Sequence, residues 1–158
     1  MLKSVVMENL YYRFRSVSVE QFATLSDSLS ENDTMDYETT FSFRFIKDER
    51  LLVSRSEVNL LQNKELKMKS VLDCTFEVKE ESVIDVTQED GSIVFPRNLL
   101  IQLASLNYGT LRGIVIERTK GTVFSSIILP PLVVGDIIKE DLVIRFDAEV
   151  CDEQTSEE

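Results

Sequence analysis

Histidine is absent from the 158 residues. With it go the commonest general base, the commonest zinc ligand and the usual partner of a serine or cysteine nucleophile. Cysteine is nearly absent: Cys74 lies in an alternating stretch and Cys151 near an acidic end, a spacing that suggests neither a disulfide framework nor a metal clip. A reducing compartment fits best, and no catalytic residue, cofactor-binding residue or metal ligand stands out. No apolar run approaches the roughly 18 residues that a membrane span needs. Met1 to Leu10 carries one lysine, broken apolar content and no small-residue cleavage site, so neither an export signal nor membrane insertion is expected. Basic residues are also in deficit, 17 against 28 acidic, for a formal charge of -11. Such a charge repels phosphate backbones and anionic headgroups, which argues against nucleic acid and membrane surfaces as partners. A basic partner protein remains compatible, and so does a charge that serves solubility alone.

What is present is period two. From Glu65 to Lys79 the even positions are Leu66, Met68, Ser70, Leu72, Cys74, Phe76 and Val78, while the odd ones are mostly Lys, Asp, Thr and Glu. Successive side chains of a strand point to opposite faces, so this segment predicts a strand with one buried and one wet face, as in an antiparallel sheet. Cys74 falls on the apolar face, as a small buried hydrophobe. Phe41, Phe43 and Phe45, interleaved with Thr40, Ser42 and Arg44, repeat the pattern. Asp48-Glu49-Arg50 then separates them from Leu51 to Leu61, which predicts a hairpin. Tyr12 and Phe14, then Val17 and Val19, read as a further strand whose register slips around Arg15 and Ser16. The polar stretch Ser26 to Asp36 reads as a surface loop.

A shorter segment around Val83 to Val86 and a turn at Gln88 to Gly91 precede Phe95-Pro96, where the period changes. Proline suits a first helical turn, because its missing amide hydrogen has no helical partner there. Leu99, Leu100, Leu103, Leu106, Leu111 and Ile114 then keep helical spacing, predicting a helix of about 20 residues through Glu117 that should meet the Leu66 to Val78 face. Ser105, Gly109 and Gly113 recur every four residues, a smooth ridge that a second helix could approach closely. Alternatively, Gly109 caps a shorter helix ending near Tyr108. Beyond Lys120-Gly121-Thr122 come apolar Val123 to Leu129, Pro130-Pro131 and a short helix candidate at Val133 to Ile138. The fold class is thus α+β: a four-stranded or slightly larger antiparallel sheet, one long helix and a short second helix. Residues 1–150 are expected to form one domain, and 151–158 a disordered acidic tail.

The alternating strand ending Leu72-Asp73-Cys74-Thr75-Phe76-Glu77-Val78, then Phe95-Pro96, Gly109-Thr110 and Leu129-Pro130-Pro131, together resemble the SecB family of preprotein-export chaperones. Tyr108-Gly109-Thr110-Leu111-Arg112-Gly113 with Thr119-Lys120-Gly121-Thr122 looks like the SecB-like proteins found outside proteobacteria, some of them associated with toxin–antitoxin systems. The similarity covers about residues 15 to 140. It implies a four-stranded antiparallel sheet with two helices, a dimer of dimers, and a cofactor-free cytoplasmic bacterial holdase for unfolded or nascent polypeptides. A translocation motor or a toxin becomes a thinkable basic partner. The chain departs from the family in carrying extra residues between Gly109-Thr110 and Leu129-Pro130 and in lacking a long second helix.

A sequence-tolerant apolar groove needs aliphatic and aromatic side chains without precise polar anchors. Phe124, Leu132, Val133, Ile137 and Ile138 are the candidates for client contact, against ordinary core packing as the plain alternative. Ser105, Gly109 and Gly113 are the candidates for helix packing in a homodimer or homotetramer. Two other classes stay open: a non-enzymatic scaffold with the same fold, and an acyl-group enzyme of the hotdog type. The latter needs a pocket carboxylate or amide with a positioned water, and Asp73, Glu77 and Asp136 form no evident convergent set.

Overall fold

The computed structural model describes residues 10–146; Cys151 and the tail expected at 151–158 lie outside them. Four long strands, β1 (Tyr12–Thr24), β2 (Met35–Ile46), β3 (Leu51–Gln62) and β4 (Glu65–Val78), form one antiparallel sheet in the spatial order β1-β4-β3-β2. The alternating segment is therefore last in sequence yet central in space, which explains its deep burial: Met68, Leu72, Cys74 and Phe76 are fully buried. The hairpin of β2 and β3 pairs as expected, Phe43 opposite Ser54 and Phe45 opposite Leu52. A two-residue turn closes β3 onto β4, with Asn63 and Lys64 both at positive φ, the twist that tight hairpins prefer.

β1 pairs with β4 through two register shifts, one between Phe14 and Ser16 and one between Val19 and Gln21. The sequence slip around Arg15 is thus a β-bulge: an extra residue flips the alternation, so Tyr12, Phe14, Val17, Val19 and Phe22 can share one face.

The other elements lie on that same face or at its end. A short helix, α1 (Glu80–Val86), follows β4 directly, with Glu80 and Glu81 in its first turn, where acidic side chains complement the helix dipole. A three-residue strand, β5 (Ile93–Phe95), leads into α2 (Arg97–Arg118) and pairs with β6 (Leu142–Ile144). The helix α2 runs unbroken through Gly109, which settles the alternative of a cap there. By length and composition α2 would suffice to cross a membrane, but here it is the core helix, laid over β3 and β4.

Its inward stripe is Leu99, Leu100, Leu103, Ala104, Asn107, Tyr108, Leu111 and Val115. Leu106, assigned to that stripe from sequence, points outward and is exposed. Residues 120–141 return along α2 as an irregular strap. The short helix expected at Val133 to Ile138 contracts to a single 3-10 turn, Val134–Asp136, because Arg97 draws the carbonyls of Gly135 and Ile138 toward the start of α2.

Cys74 sits at the centre of this core. Burial, with Asp73 adding to it, pushes its thiol up to about 11, so the nucleophilic thiolate is scarce near neutrality. In a Cys151→Ser variant the remaining thiol is expected to stay silent to Ellman's reagent at pH 8 while the protein is folded. It should react at once in guanidinium; rapid reaction of the folded protein would contradict this packing.

Candidate functional site

The two faces of the sheet differ in chemistry. On the outer face, Asp73 accepts two hydrogen bonds from the Arg55 guanidinium, at 2.7 and 2.9 Å, with Arg44 at 3.6 Å. Expected on the wet side of its strand, Asp73 is instead buried, covered by these arginine side chains. Glu77 accepts from Arg13 at 2.6 and 2.8 Å and from Arg15 at 2.9 Å. The hydrogen bond from Arg13 holds its carboxyl below the usual range. Both carboxylates are thus spent on ion pairs, and Asp136 stands apart, exposed, at the end of the 3-10 turn. The three do not converge. Among the described residues no group of three or more Cys, Asp or Glu could hold a metal ion.

A cleft at the β1 end of the outer face, lined by Tyr11, Arg13, Arg50, Lys79 and Glu80 among others, brings together charges that largely answer one another. Arg50 lies between Glu77 and Glu80, each 3.8 Å away. No nucleophile with an adjacent base is present there.

The helix face is apolar and incompletely covered. Among the described residues, strand β2 is an edge strand, bonded on one side to β3 and to no strand on the other, and its ladder with β3 has no bulge. Phe41, Phe43 and Phe45 project from it in a row and are only half-buried. Phe41 meets Tyr108 of α2 edge-on at 6.3 Å, and Phe45 meets Phe95 at 5.0 Å. These ring contacts fix the row against the helix and leave its outer side to solvent. On the other edge, Phe14 and Val17 are each more than 40% exposed.

The strap divides the residues singled out for client contact. Phe124 and Ile138 are buried in the core, at 1% and 9% exposure, and Leu132 is half-buried. Val133 and Ile137 are exposed, at 69% and 40%, and Ile128 joins them at 62%. Ile128 escaped sequence reasoning because a run of apolar residues carries no period to say which one faces out.

The strap is held from α2 by side-chain donors. Arg112 Nε donates to Leu129 O at 2.9 Å, and Tyr108 Oη to Pro130 O at 2.6 Å. Arg97 Nε and Nη2 donate to Ile138 O and Gly135 O at 2.8 and 2.7 Å. Burial raises the Tyr108 phenol, which keeps it a donor.

The ridge of Ser105, Gly109 and Gly113 faces solvent. A Cβ added at either glycine would meet nothing within 4 Å among the described residues, so no close approach among them requires these glycines.

Comparison with solved structures finds the same arrangement in the SecB-like chaperone Rv1957 of Mycobacterium tuberculosis, in complex with a ChAD peptide from the Rv1956 HigA1 antitoxin. The TM-score is 0.53 at 12% identity, over 77% of this chain and 89% of that one. The fold is SecB-like. No family model matches the sequence, and no curated protein matches it either. The shared SecB-like framework is the four-stranded antiparallel sheet with its long helix; the identity is too low for side-chain roles to pass from one chain to the other.

Proposed function

We propose that this protein is a holdase that binds non-native polypeptide segments on the apolar side of its sheet, without chemistry of its own. One observation carries the reading: a row of half-buried phenylalanines lies along a regular sheet edge that no other described strand pairs, beside a strap that exposes Ile128, Val133 and Ile137. An extended chain added along β2 would gain main-chain hydrogen bonds whatever its sequence, and burying apolar side chains against the row would supply affinity. The SecB-like fold supports the same reading, as does the antitoxin peptide bound to the solved neighbour. A cytoplasmic bacterial setting, with service to export or to a toxin–antitoxin pair, fits this reading, and the charge of -11 suits a basic partner such as a motor tail or a toxin.

The test is suppression of aggregation of several unrelated unfolded proteins at stoichiometric ratio, with native mass measured alongside. Suppression by a homodimer or homotetramer supports the proposal; no suppression by a strict monomer removes it. An oligomer that suppresses nothing would favour a scaffold subunit.

The exposed ridge of α2 bears on the assembly. Glycine inside a helix costs about 1 kcal/mol relative to alanine, and both ridge positions have room for a methyl group. Gly109→Ala and Gly113→Ala are therefore each expected to stabilise the chain by up to about 1 kcal/mol in thermal melts. If a helix of a second copy sits on the ridge, the same substitutions should weaken association in sedimentation. Unchanged association would place the contact elsewhere.

A further inference from the structure

The strap is attached in an unusual way. Between Ile127 and Val133, among the described residues, its amides make no backbone hydrogen bond beyond the one from Ile127 N to Phe124 O. Pro130 and Pro131 have no amide hydrogen to give. Instead, side chains of α2 reach out and grip its carbonyls: Arg112 takes Leu129 O, Tyr108 takes Pro130 O, and Arg97 closes on Gly135 O and Ile138 O. Ile127 and Leu129, two residues apart, are buried in the core while Ile128 faces water.

This is how an extended peptide would be read. Carbonyls are common to every sequence, and apolar side chains at i and i+2 are all the pattern asks for. We propose that residues 127–138 are a displaceable stand-in: the slot along α2 read by Tyr108 and Arg112 accepts an extended apolar polypeptide segment in place of the strap, and Arg97 is the latch that holds the strap shut. The inference rests on the polypeptide-holding reading above and gives it a regulated site. Because the strap competes from within the same chain, affinity for a client is reduced by the fraction of molecules in which the strap is open. Segments held by few backbone bonds are also those that open most readily.

The test uses fluorescein-labelled, reduced and carboxymethylated α-lactalbumin as an unfolded polypeptide, with the full chain and its Arg97→Met variant. That variant keeps the aliphatic stem and leaves Tyr108 and Arg112 in place, while Asp141 Oδ1 still accepts from the Arg97 backbone amide. Loss of the latch is expected to tighten binding about tenfold, and adding Arg112→Met should abolish the gain. Hydrogen exchange of the wild-type protein gives an independent readout: the amides of Ile127, Asp136, Ile137 and Ile138, which are hydrogen-bonded in the closed strap, should exchange faster when the polypeptide is bound. Binding by wild type with those amides unchanged or better protected, and with Arg97→Met no tighter, would overturn the displaceable strap and leave the holdase intact. Failure of both proteins to bind would overturn both.

Discussion

Phe76→Ala is expected to lower the unfolding free energy by about 4 kcal/mol, near the upper end for a buried aromatic truncation. Phe76 is fully buried at the end of the central strand β4, between Phe14 of β1 and Leu52 of β3. Tyr12 meets its ring edge-on at 5.6 Å and Phe14 meets it at a tilt at 4.7 Å. Removing the ring takes apolar area out of the core and leaves a void that two rigid ladders cannot close. It also strips the partner from Phe14, the residue just before the first bulge. For a domain of this size the loss corresponds to a fall in Tm of about 12 °C, read by calorimetry. A fall of under about 3 °C would mean that the strands collapse onto the vacancy, against the packing described.

The second large effect concerns a polar residue. Asn107 lies fully buried in α2, accepting from Ser56 Oγ and donating to Ser54 O and Leu72 O, on β3 and β4. It bolts the helix to the centre of the sheet. Asn107→Ala leaves a buried hydroxyl without its acceptor and opens a small cavity, for an expected loss of about 3 kcal/mol in denaturant melts. Ser56→Ala, which removes only the donor of one of these bonds, should cost less. A double-mutant cycle between the two positions is expected to show coupling of about 1 kcal/mol, since they share one bond. Strict additivity would mean that Asn107 acts through Ser54 and Leu72 alone.

Asn107 also marks the limit of what hydropathy can read. The residues Leu99, Leu103, Asn107, Leu111 and Val115 follow one another at four-residue spacing along the buried face, so the position was readable from geometry. The eye for apolar residues chooses Leu106 instead, which faces out. Sequence captured β4 because period two survives intact there, and it registered the first bulge of β1 as a slip at Arg15. It could not show that β1 pairs with β4, because nothing local encodes a partner so far along the chain. Glu80 and Glu81 are exposed and open α1, a helix too short for its period to show. In the candidate site, the phenylalanine row of β2 was legible as apolar, but its half-burial follows from being an edge, and strand order is a property of the whole sheet. The strap defeated periodicity altogether: its carbonyls are held by side chains of α2, a contact that leaves no repeat in the sequence.

The pairing of β1 with β4 has a kinetic side. Arg13 and Glu77 are 64 residues apart, so as the chain leaves the ribosome β1 waits for β4. Closing so long a loop is slow. Until β2, β3 and β4 have formed their meander, Phe14, Val17 and Phe22 have no ladder to join, and β1 is for that interval an extended apolar segment in search of a surface. The nascent chain thus passes through a stage in which it presents the kind of segment that the finished protein is proposed to hold.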